Sequence, residues 1–233
     1  MNMLHAGVKQ LVISSSANVY GKANANSVFE TVPAVPNNRY GKLKLMVEDI
    51  LRDLFVANPA WRAACLRYFN PVGAHTSDLI RENPLDMPGN LMPLINPVTR
   101  GMRAKFSIFG YDYATPNGTG VRDFIHVMDL AESHLAALRY LSGQKYTTGK
   151  FLRANAGTGK GLSVLEMALA FENKNGVAVP YEVSPPSAED IEVSYADVSL
   201  TEKTMYWKVC FNLEDICKDS WHWYSMNPKS YQG

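Results

Sequence analysis

Hydrophobic residues recur along this chain with two periods, and these periods predict alternating strands and helices. Residues 11–13 are a short aliphatic run followed by three serines, which is typical of a buried strand that opens into a polar loop. Residues 22–39 are rich in Asn, Pro and Ala and are predicted to form a loop. Residues 40–56 are predicted to form a helix, because apolar side chains recur there at helical spacing, at Leu43, Met46, Val47, Ile50, Leu51 and Leu54.

The same periods continue to the end of the chain. Further strands are predicted at residues 62–69, 106–109, 150–154 and 181–183. Further helices are predicted at residues 91–102, 129–141 and 213–224, and in the segment that Ser163 caps. Strands that alternate with helices in this way are typical of a parallel α/β sheet.

Composition narrows the kind of protein that this fold belongs to. The chain has 233 residues, of which 46% are hydrophobic and 19% charged, and its formal net charge is +1. A balance this close to neutral predicts neither a nucleic-acid nor a membrane-surface partner. No apolar run approaches about 20 residues and the N-terminus lacks the pattern of a signal peptide, so we expect a cytoplasmic protein that binds a small molecule.

Cysteine and histidine usage bears on metals and disulfides. The three cysteines, Cys65, Cys210 and Cys217, are odd in number and widely spaced, and the five histidines show no metal-ligand spacing. The sequence therefore predicts reduced thiols and no bound metal.

One pair of residues has the spacing of a catalytic motif. Tyr40 and Lys44 form Tyr-x-x-x-Lys, and on the predicted helix they lie on one face. A phenol ordinarily has a pKa of about 10, so a tyrosine that acts as a base near neutral pH needs its phenolate stabilised. A neighbouring ammonium group does this, and an oxidised nicotinamide would add to it. Ser16, beyond the predicted strand, is placed to hydrogen-bond the same substrate hydroxyl.

This motif is weak evidence by itself. A chain with twelve tyrosines contains about one such pair by chance, and a second pair, Tyr146 and Lys150, does occur with a helix-breaking Thr-Thr-Gly between its members. On the motif alone, a surface tyrosine beside a solvated lysine is the better interpretation of Tyr40 and Lys44. The surrounding sequence changes that interpretation.

Longer strings supply a family context. Residues 14–21 read SSSANVYG, residues 40–44 read YGKLK and residues 67–75 read RYFNPVGAH, and these resemble the extended short-chain dehydrogenase/reductase family. NLMP at residues 90–93 and GTGVRDFIHV at residues 118–127 narrow the resemblance to the UDP-glucose (UDP-galactose) 4-epimerases. The strings follow the order of that family over almost the whole chain. A nucleotide-sugar dehydratase or decarboxylase of the same superfamily is an alternative, and the last two strings speak against it.

The resemblance implies an isomerase of galactose metabolism that interconverts UDP-glucose and UDP-galactose with NAD. Tyr40 is similar to the family's catalytic base, Lys44 to the lysine that stabilises its phenolate, and Ser16 to the ligand of the substrate hydroxyl. In that family the base removes the O4 proton while a hydride moves from C4 to NAD⁺. The 4-keto sugar then turns over, and the hydride returns to its other face.

The resemblance also implies two sets of binding residues. The residues similar to the family's NAD ligands are Ser14, Ser15, Tyr40, Lys44, Tyr68 and Phe69. The residues similar to its UDP-sugar ligands are Asn18, Asn70, Asn90, Leu91, Ile108, Phe109, Arg122, Asp190 and Ser194. Among these, Arg122 resembles the cation on the pyrophosphate, which suits a charge-assisted contact. On local chemistry alone, the alternatives are turn and cap roles for Asn70 and Asn90. For Arg122 the alternative is a surface ion pair with Asp123.

The family's first strand-to-helix turn, whose glycines admit the pyrophosphate to a helix N-terminus, is not found in the sequence. The segment GTGKG at residues 157–161 has neither that spacing nor the spacing of a Walker A motif. We therefore predict a partial Rossmann-type doubly wound parallel sheet that lacks its first strands. Residues 1–75 are the predicted remnant of the NAD-binding domain. Residues 76–233 mainly form a smaller α/β lobe that binds the UDP-sugar, with some segments returning to the sheet.

Two departures from the family concern the substrate site. Ser187 lies near the position of the family's second pyrophosphate arginine, so one cation is lost there. Ser194 occupies a position where a bulky residue excludes N-acetylated sugars and a small residue admits them.

These departures lead to two interpretations of function. We expect a UDP-glucose 4-epimerase by resemblance that is inactive as an isolated chain; a full-length enzyme whose front is missing from this sequence would explain the same strings. The alternative is a non-catalytic truncated paralogue that binds a UDP-sugar weakly or associates with a full-length epimerase. The family pairs as a homodimer through the helix of Tyr40 and the helix before Leu11, and only the end of the latter is expected here. The strand at residues 11–13 would then be an unprotected apolar edge.

Overall fold

The computed structural model describes residues 2–23, 27–77, 79–80, 82, 90–143, 149–186 and 190–227. Its strands are β1 (Gln10–Ser16), β2 (Ser27–Val28), β3 (Arg62–Tyr68), β4 (Asn70–Val72), β5 (Phe106–Phe109), β6 (Val121–Arg122), β7 (Phe124–His126), β8 (Lys150–Ala156), β9 (Leu162–Ser163), β10 (Tyr181–Ser184) and β11 (Val193–Ala196). Its α-helices are α1 (Asn2–His5), α2 (Arg39–Ala57), α3 (Leu91–Thr99), α4 (Val127–Ser142), α5 (Val164–Asn175), α6 (Ser199–Met205) and α7 (Leu213–Met226). A 3₁₀ turn, Ala17–Tyr20, follows β1.

Three of the strands form a parallel sheet in the order β1–β3–β8. The register places Ser16 opposite Tyr68 and Tyr68 opposite Ala156, so the three strands end together at one edge. Ligands of open α/β sheets bind outside the carboxyl ends of the strands. This edge is therefore where a functional site is expected.

Helices cover both faces of this sheet, as in a doubly wound Rossmann-type fold. Side chains of a strand alternate between the two faces. Arg67 of β3 points towards α2, where it meets Glu48. Leu66 of the same strand lies in a buried apolar cluster with Ala137 and Leu141 of α4. The predicted α/β fold with a parallel sheet is confirmed.

The strand β1 lies at the edge of the sheet. Among the described residues its one strand partner is β3. Its apolar residues Leu11, Val12 and Ile13 are half-buried. The apolar edge expected at this strand is present, and an edge of this kind favours pairing with another chain.

The remaining strands are short and pair outside this sheet. β4 pairs with β7 and β5 with β10, both in parallel, and a four-stranded group runs β2–β11–β6–β9. α3, α5 and α7 pack on β5 around an apolar cluster that contains Ile95, Phe106, Ile108, Met167, Phe171 and Ile216. This cluster anchors β5, whose opposite side carries Ser107 and Phe109.

The predicted long elements are confirmed with small changes in their bounds, whereas several short ones were missed. The serines 14–16 belong to β1 rather than to a loop, because they pair with residues 66–68 of β3. Helix α3 ends at Thr99 instead of residue 102 and contains Pro97. The missed strands β2, β4, β6, β7, β9 and β11 have two to four residues each, too few to display a period.

Side-chain caps determine where the helices begin. The Oδ1 atom of Asn38 accepts a hydrogen bond from the backbone N–H of Gly41 at 2.7 Å, at the start of α2. A capping box of Ser163 and Glu166 begins α5, and an equivalent box begins α7. The cap predicted at Ser163 is confirmed.

The strand β8 belongs to the second half of the chain but completes the sheet of the first half, where it pairs with β3. The division of the chain at residue 75 stays a prediction. Within the described ranges, no helix combines the length and the apolar character needed to cross a membrane.

Candidate functional site at the carboxyl edge of the sheet

The catalytic pair predicted from the sequence lies where β1 meets α2. The Nζ atom of Lys44 donates a hydrogen bond to the backbone carbonyl of Ser14 at 2.7 Å. The same ammonium lies 5.4 Å from the centre of the Tyr40 ring. Tyr40 is 52% exposed, so its phenol is open to a ligand. The helix therefore brings the phenol of Tyr40 and the ammonium of Lys44 together at the carboxyl end of the strand.

A short series of hydrogen bonds ties the end of β1 to the start of α2. Ser16 Oγ accepts from the backbone N–H and the side-chain amide of Asn18, at 3.2 and 3.1 Å. Asn18 Oδ1 accepts from the side-chain amide of Asn38, the cap of α2, at 3.0 Å. Gly41 allows the close approach, because a Cβ there would come within 2.3 Å of the Asn18 carbonyl oxygen. Both described contacts of Ser16 use its oxygen as acceptor, which leaves its O–H as a donor.

Tyr68 connects β1 to α4 at the same edge. Ser14 Oγ lies 2.8 Å from the Tyr68 hydroxyl, and that hydroxyl also contacts His134 Nε2. His134 Nδ1 lies 2.9 Å from the carbonyl of Leu130. The Tyr68 hydroxyl thus links Ser14 of β1 to His134 of α4. Burial raises the pKa of Tyr68, the Ser14 hydrogen bond lowers it, and the nearby Tyr40 raises it further.

Behind this edge lies a buried ion pair. Arg67 donates to Glu48 through Nε at 2.9 Å and through Nη2 at 2.5 Å, and both side chains are 1% exposed. Ser15 Oγ donates to the same carboxylate at 2.5 Å. The guanidinium lies 4.7 Å from the centre of the Tyr20 ring. Burial alone lowers the pKa of Arg67, but its hydrogen bonds to Glu48 raise it above the ordinary value.

A second group of predicted residues lines a cavity of about 230 Å³. The predicted residues among its walls are Asn70, Asn90, Leu91, Phe109, Arg122 and Asp190. Burial lowers the pKa of Arg122, and the neighbouring Asp190 and Tyr113 partly offset this. The cavity thus combines a cation, a carboxylate, two amides and an aromatic ring, which suits a polar ligand with a planar ring.

The alternatives for two of these residues can be checked against the structure. Asn90 begins α3 but makes no side-chain cap hydrogen bond; its amide donates to Glu82 instead. Asp123 accepts from the backbone N–H groups of Thr158, Gly159 and Ala196, at 2.8 to 3.1 Å, and this holds the GTGKG loop in place. The proposed surface pair of Arg122 with Asp123 is wrong, because Asp123 is fully buried and engaged with that loop.

A protein-family model also matches this chain. The model described as "NAD dependent epimerase/dehydratase family" matches residues 1–149. The chain belongs to this family. It is 47% identical over 224 residues to a UDP-glucose 4-epimerase of Dictyostelium discoideum. The matched region covers 96% of this chain and 64% of that relative.

Solved structures of epimerases match almost the whole chain. A UDP-glucose-4-epimerase from Stenotrophomonas maltophila with bound NAD and formylated UDP-arabinopyranose matches with a TM-score of 0.93 and 45% identity, over 98% of this chain and 67% of that one. A UDP-glucose 4-epimerase from Bifidobacterium longum in complex with NAD⁺ and UDP matches with a TM-score of 0.90 and 42% identity, with the same coverages. The chain thus spans about two thirds of the length of the relatives that it matches.

Some residues predicted from the family resemblance point away from the edge and the cavity. Ser15, Phe69 and Ile108 are 1%, 6% and 1% exposed, and their side chains lie against Glu48 or in apolar clusters. A ligand could reach only their backbone. Ser194 pairs with Arg122 between β11 and β6 but does not line the cavity. Ser187 and Tyr146 lie outside the described residues.

Sequence reasoning missed five residues of this epimerase/dehydratase site, namely Tyr20, Glu48, Arg67, Tyr113 and His134. Tyr20 and Arg67 stand inside strings that carry the family resemblance, and Glu48 follows Lys44 by one helical turn on the same face. Those positions were signals that could have been used. No local signal pairs His134 with Tyr68, because 66 residues separate them.

A larger cavity, of about 540 Å³, lies on the other side of Phe124, between the GTGKG loop and the start of α7. None of the predicted site residues lines it. Within the described residues there is also no group of three or more side chains arranged to hold a metal ion.

Proposed function

We propose that this chain carries the catalytic residues and the UDP-sugar pocket of a UDP-glucose 4-epimerase. The observation that carries the proposal is the contact of Lys44 with the Ser14 carbonyl beside the exposed Tyr40 ring, at the carboxyl edge of a parallel sheet. The similarity to epimerases solved with NAD and with UDP or a UDP-sugar supports it. Because the chain spans about two thirds of those proteins, the activity of the whole protein remains a proposal.

The residues at this edge fit an NAD cofactor. Tyr40, Lys44, Tyr68 and the exposed Ser14 face the end of the sheet where dinucleotides bind in Rossmann-type folds. Bound NAD⁺ would supply the hydride acceptor at the sugar C4. Lys44 and Tyr68 would orient the cofactor, and the buried Ser15 and Phe69 would contribute through their backbone.

The chain's own groups divide the remaining work. Tyr40 takes the proton of the sugar O4 and later returns it, while the Lys44 ammonium stabilises the phenolate. The O–H of Ser16 donates to the same sugar oxygen. Arg122 binds the pyrophosphate, Phe109 contacts the uracil, and amides such as Asn70 orient the nucleotide. We retain the division at residue 75 into an NAD-binding remnant and a UDP-sugar lobe as part of this proposal.

We further propose that the chain forms a homodimer through α2. Leu43, Met46 and Ile50 lie on one side of this helix and are 58%, 61% and 63% exposed. An apolar stripe of this kind on a helix that also packs on the sheet is typical of a protein interface. A second candidate function, a non-catalytic chain that associates with a full-length epimerase, is favoured by the same stripe together with β1, whose one strand partner among the described residues is β3.

Cofactor content tests the proposed function directly. The chain is purified and denatured, and the released NAD⁺ and NADH are quantified against protein. Near-stoichiometric cofactor, followed by interconversion of UDP-glucose and UDP-galactose, is expected for an epimerase. Protein without cofactor that co-purifies with a full-length epimerase would favour the second candidate.

Ser194 predicts the sugar specificity. Ser194 does not line the cavity, but the family resemblance implies that a small residue at this position admits an N-acetyl group. UDP-N-acetylglucosamine should therefore bind with an affinity similar to that of UDP-glucose. Ser194→Tyr is expected to weaken the binding of the N-acetylated sugar nucleotide by about 10-fold or more, because the added ring would collide with the acetyl group. Calorimetric titration measures both ligands, with Ser194→Ala as the control. Binding of UDP-glucose alone by the wild-type chain would contradict the prediction.

A further inference from the structure

The buried pair of Glu48 and Arg67 lies between the three segments that supply the catalytic groups. Glu48 is on α2, two turns after Tyr40 and one turn after Lys44. Arg67 is on β3, next to Tyr68. Ser15, between Ser14 and Ser16 on β1, donates to the Glu48 carboxylate.

The geometry of the pair restrains α2 in more than one direction. The two N–H groups of Arg67 bind different oxygens of Glu48, which fixes the plane of the carboxylate. Ser15 binds Oε1 from a second strand, so the helix is held to β1 and to β3 at once. Arg67 is itself held by the ring of Tyr20, whose hydroxyl donates to Asn155 of β8 at 2.6 Å.

The other contacts of this part of the helix lie near its start, where Asn38 donates to Asn18 and Lys44 donates to the Ser14 carbonyl. Leu45 packs against a neighbouring apolar cluster. On the sheet-facing side of α2, the buried residues are Gly41, Glu48 and Leu51, whereas the opposite side is an exposed apolar stripe. A buried ion pair adds little net stability over apolar side chains of the same volume. What the ion pair contributes here is the orientation of α2.

We propose that Glu48 and Arg67 are positioning residues for the reaction: through Ser15 they fix the rotation of α2 that sets Tyr40 and Lys44 against the end of β1. This inference rests on the proposed epimerase function for its kinetic readout. Glu48 and Arg67 touch neither Tyr40 nor a ligand cavity, so they act through the helix and the strands.

The decisive variant is the double replacement Glu48→Leu with Arg67→Met, which removes both charges and leaves no unpaired ion. Its melting temperature is expected to stay within a few degrees of wild type or to rise. Its kcat is expected to fall by about 10- to 100-fold with KM for UDP-glucose changed less than about threefold, because a misplacement of the order of 1 Å costs about that much. Amide exchange at residues 39–47 is expected to accelerate by about 10-fold or more.

A matched control replaces an ion pair of similar length away from the site. Lys174 and Glu214 join α5 to α7 at 2.7 Å, and Lys174→Met with Glu214→Leu should leave kcat and the exchange at residues 39–47 unchanged. Arg67→Lys is a second test variant, because it keeps the charge and the fold but not the two-pronged contact. Its kcat is expected to fall by about 10-fold.

The two proposals fail in different ways. Wild-type chain that turns over neither UDP-glucose nor UDP-galactose contradicts the proposed function, and exchange at residues 39–47 then decides the positioning role. A folded double variant with wild-type kcat, or with unchanged exchange in that segment, overturns the positioning role. If the double variant does not fold, Arg67→Lys decides by the same two measurements.

Discussion

Tyr40→Phe is expected to lower epimerase turnover by about 10²- to 10⁴-fold, the range that general acid–base catalysis contributes. The phenol is half exposed beside the Lys44 ammonium. The other tyrosine of the predicted set at this edge, Tyr68, is hydrogen-bonded to Ser14 and His134. The substitution removes one oxygen and leaves the helix intact, so KM for UDP-glucose should change by less than about threefold. Steady-state kinetics of the cofactor-loaded chain measure both constants.

Tyr206→Phe is the control for that experiment. Tyr206 is 92% exposed at the end of α6 and is not among the predicted site residues, so its loss of a hydroxyl should leave turnover unchanged. Turnover of Tyr40→Phe above about a tenth of the wild-type value would show that another group takes the proton. The hydroxyl of Ser16 would then be the next candidate.

Glu48→Gln is expected to lower the free energy of unfolding by about 3–5 kcal/mol, because it leaves the Arg67 charge buried without its counter-ion. The two side chains are 1% exposed, so water cannot replace the lost carboxylate. For this reason the double apolar replacement is expected to be more stable than the single one. Urea unfolding followed by circular dichroism measures the difference.

An exposed glutamate supplies the comparison. Glu132→Gln, on the solvent side of α4, should change the free energy of unfolding by less than about 0.5 kcal/mol. A loss below about 1 kcal/mol for Glu48→Gln would mean that the carboxylate and the guanidinium are solvated in solution. The buried pair would then have no role in fixing α2.

The long elements could be predicted because each carries its own period. Helix α2 and the strands β1, β3 and β8 have seven residues or more, enough to display helical or strand spacing. The shared face of Tyr40 and Lys44 followed from the helix alone, since residues four apart lie on one face whatever surrounds them. The catalytic interpretation of the pair came from the family strings. The strings that resemble the family added predicted ligand-binding residues, and six of these residues line one cavity.

The orientation of single residues within a strand required the neighbouring elements. Burial along β5 alternates, so Phe109 faces the cavity while Ile108 packs in the core between α3, α5 and α7. The alternation along a strand shows that adjacent side chains point to opposite faces, but it does not show which face a ligand contacts. Ser15 was assigned to the cofactor for this reason, although its hydroxyl binds Glu48.

Local patterns were enough to predict the parallel α/β fold and the shared face of Tyr40 and Lys44, because these depend on residues within one or two turns of each other. The chemistry expected of the pair came from the family resemblance. Contacts between distant segments determined the rest. The pairing of Glu48 with Arg67 and of Tyr68 with His134 spans 19 and 66 residues, and each depends on which helix covers which face of the sheet. Burial is a property of the assembled layers, so the role of a charged side chain such as Arg67 becomes visible only when they are packed together.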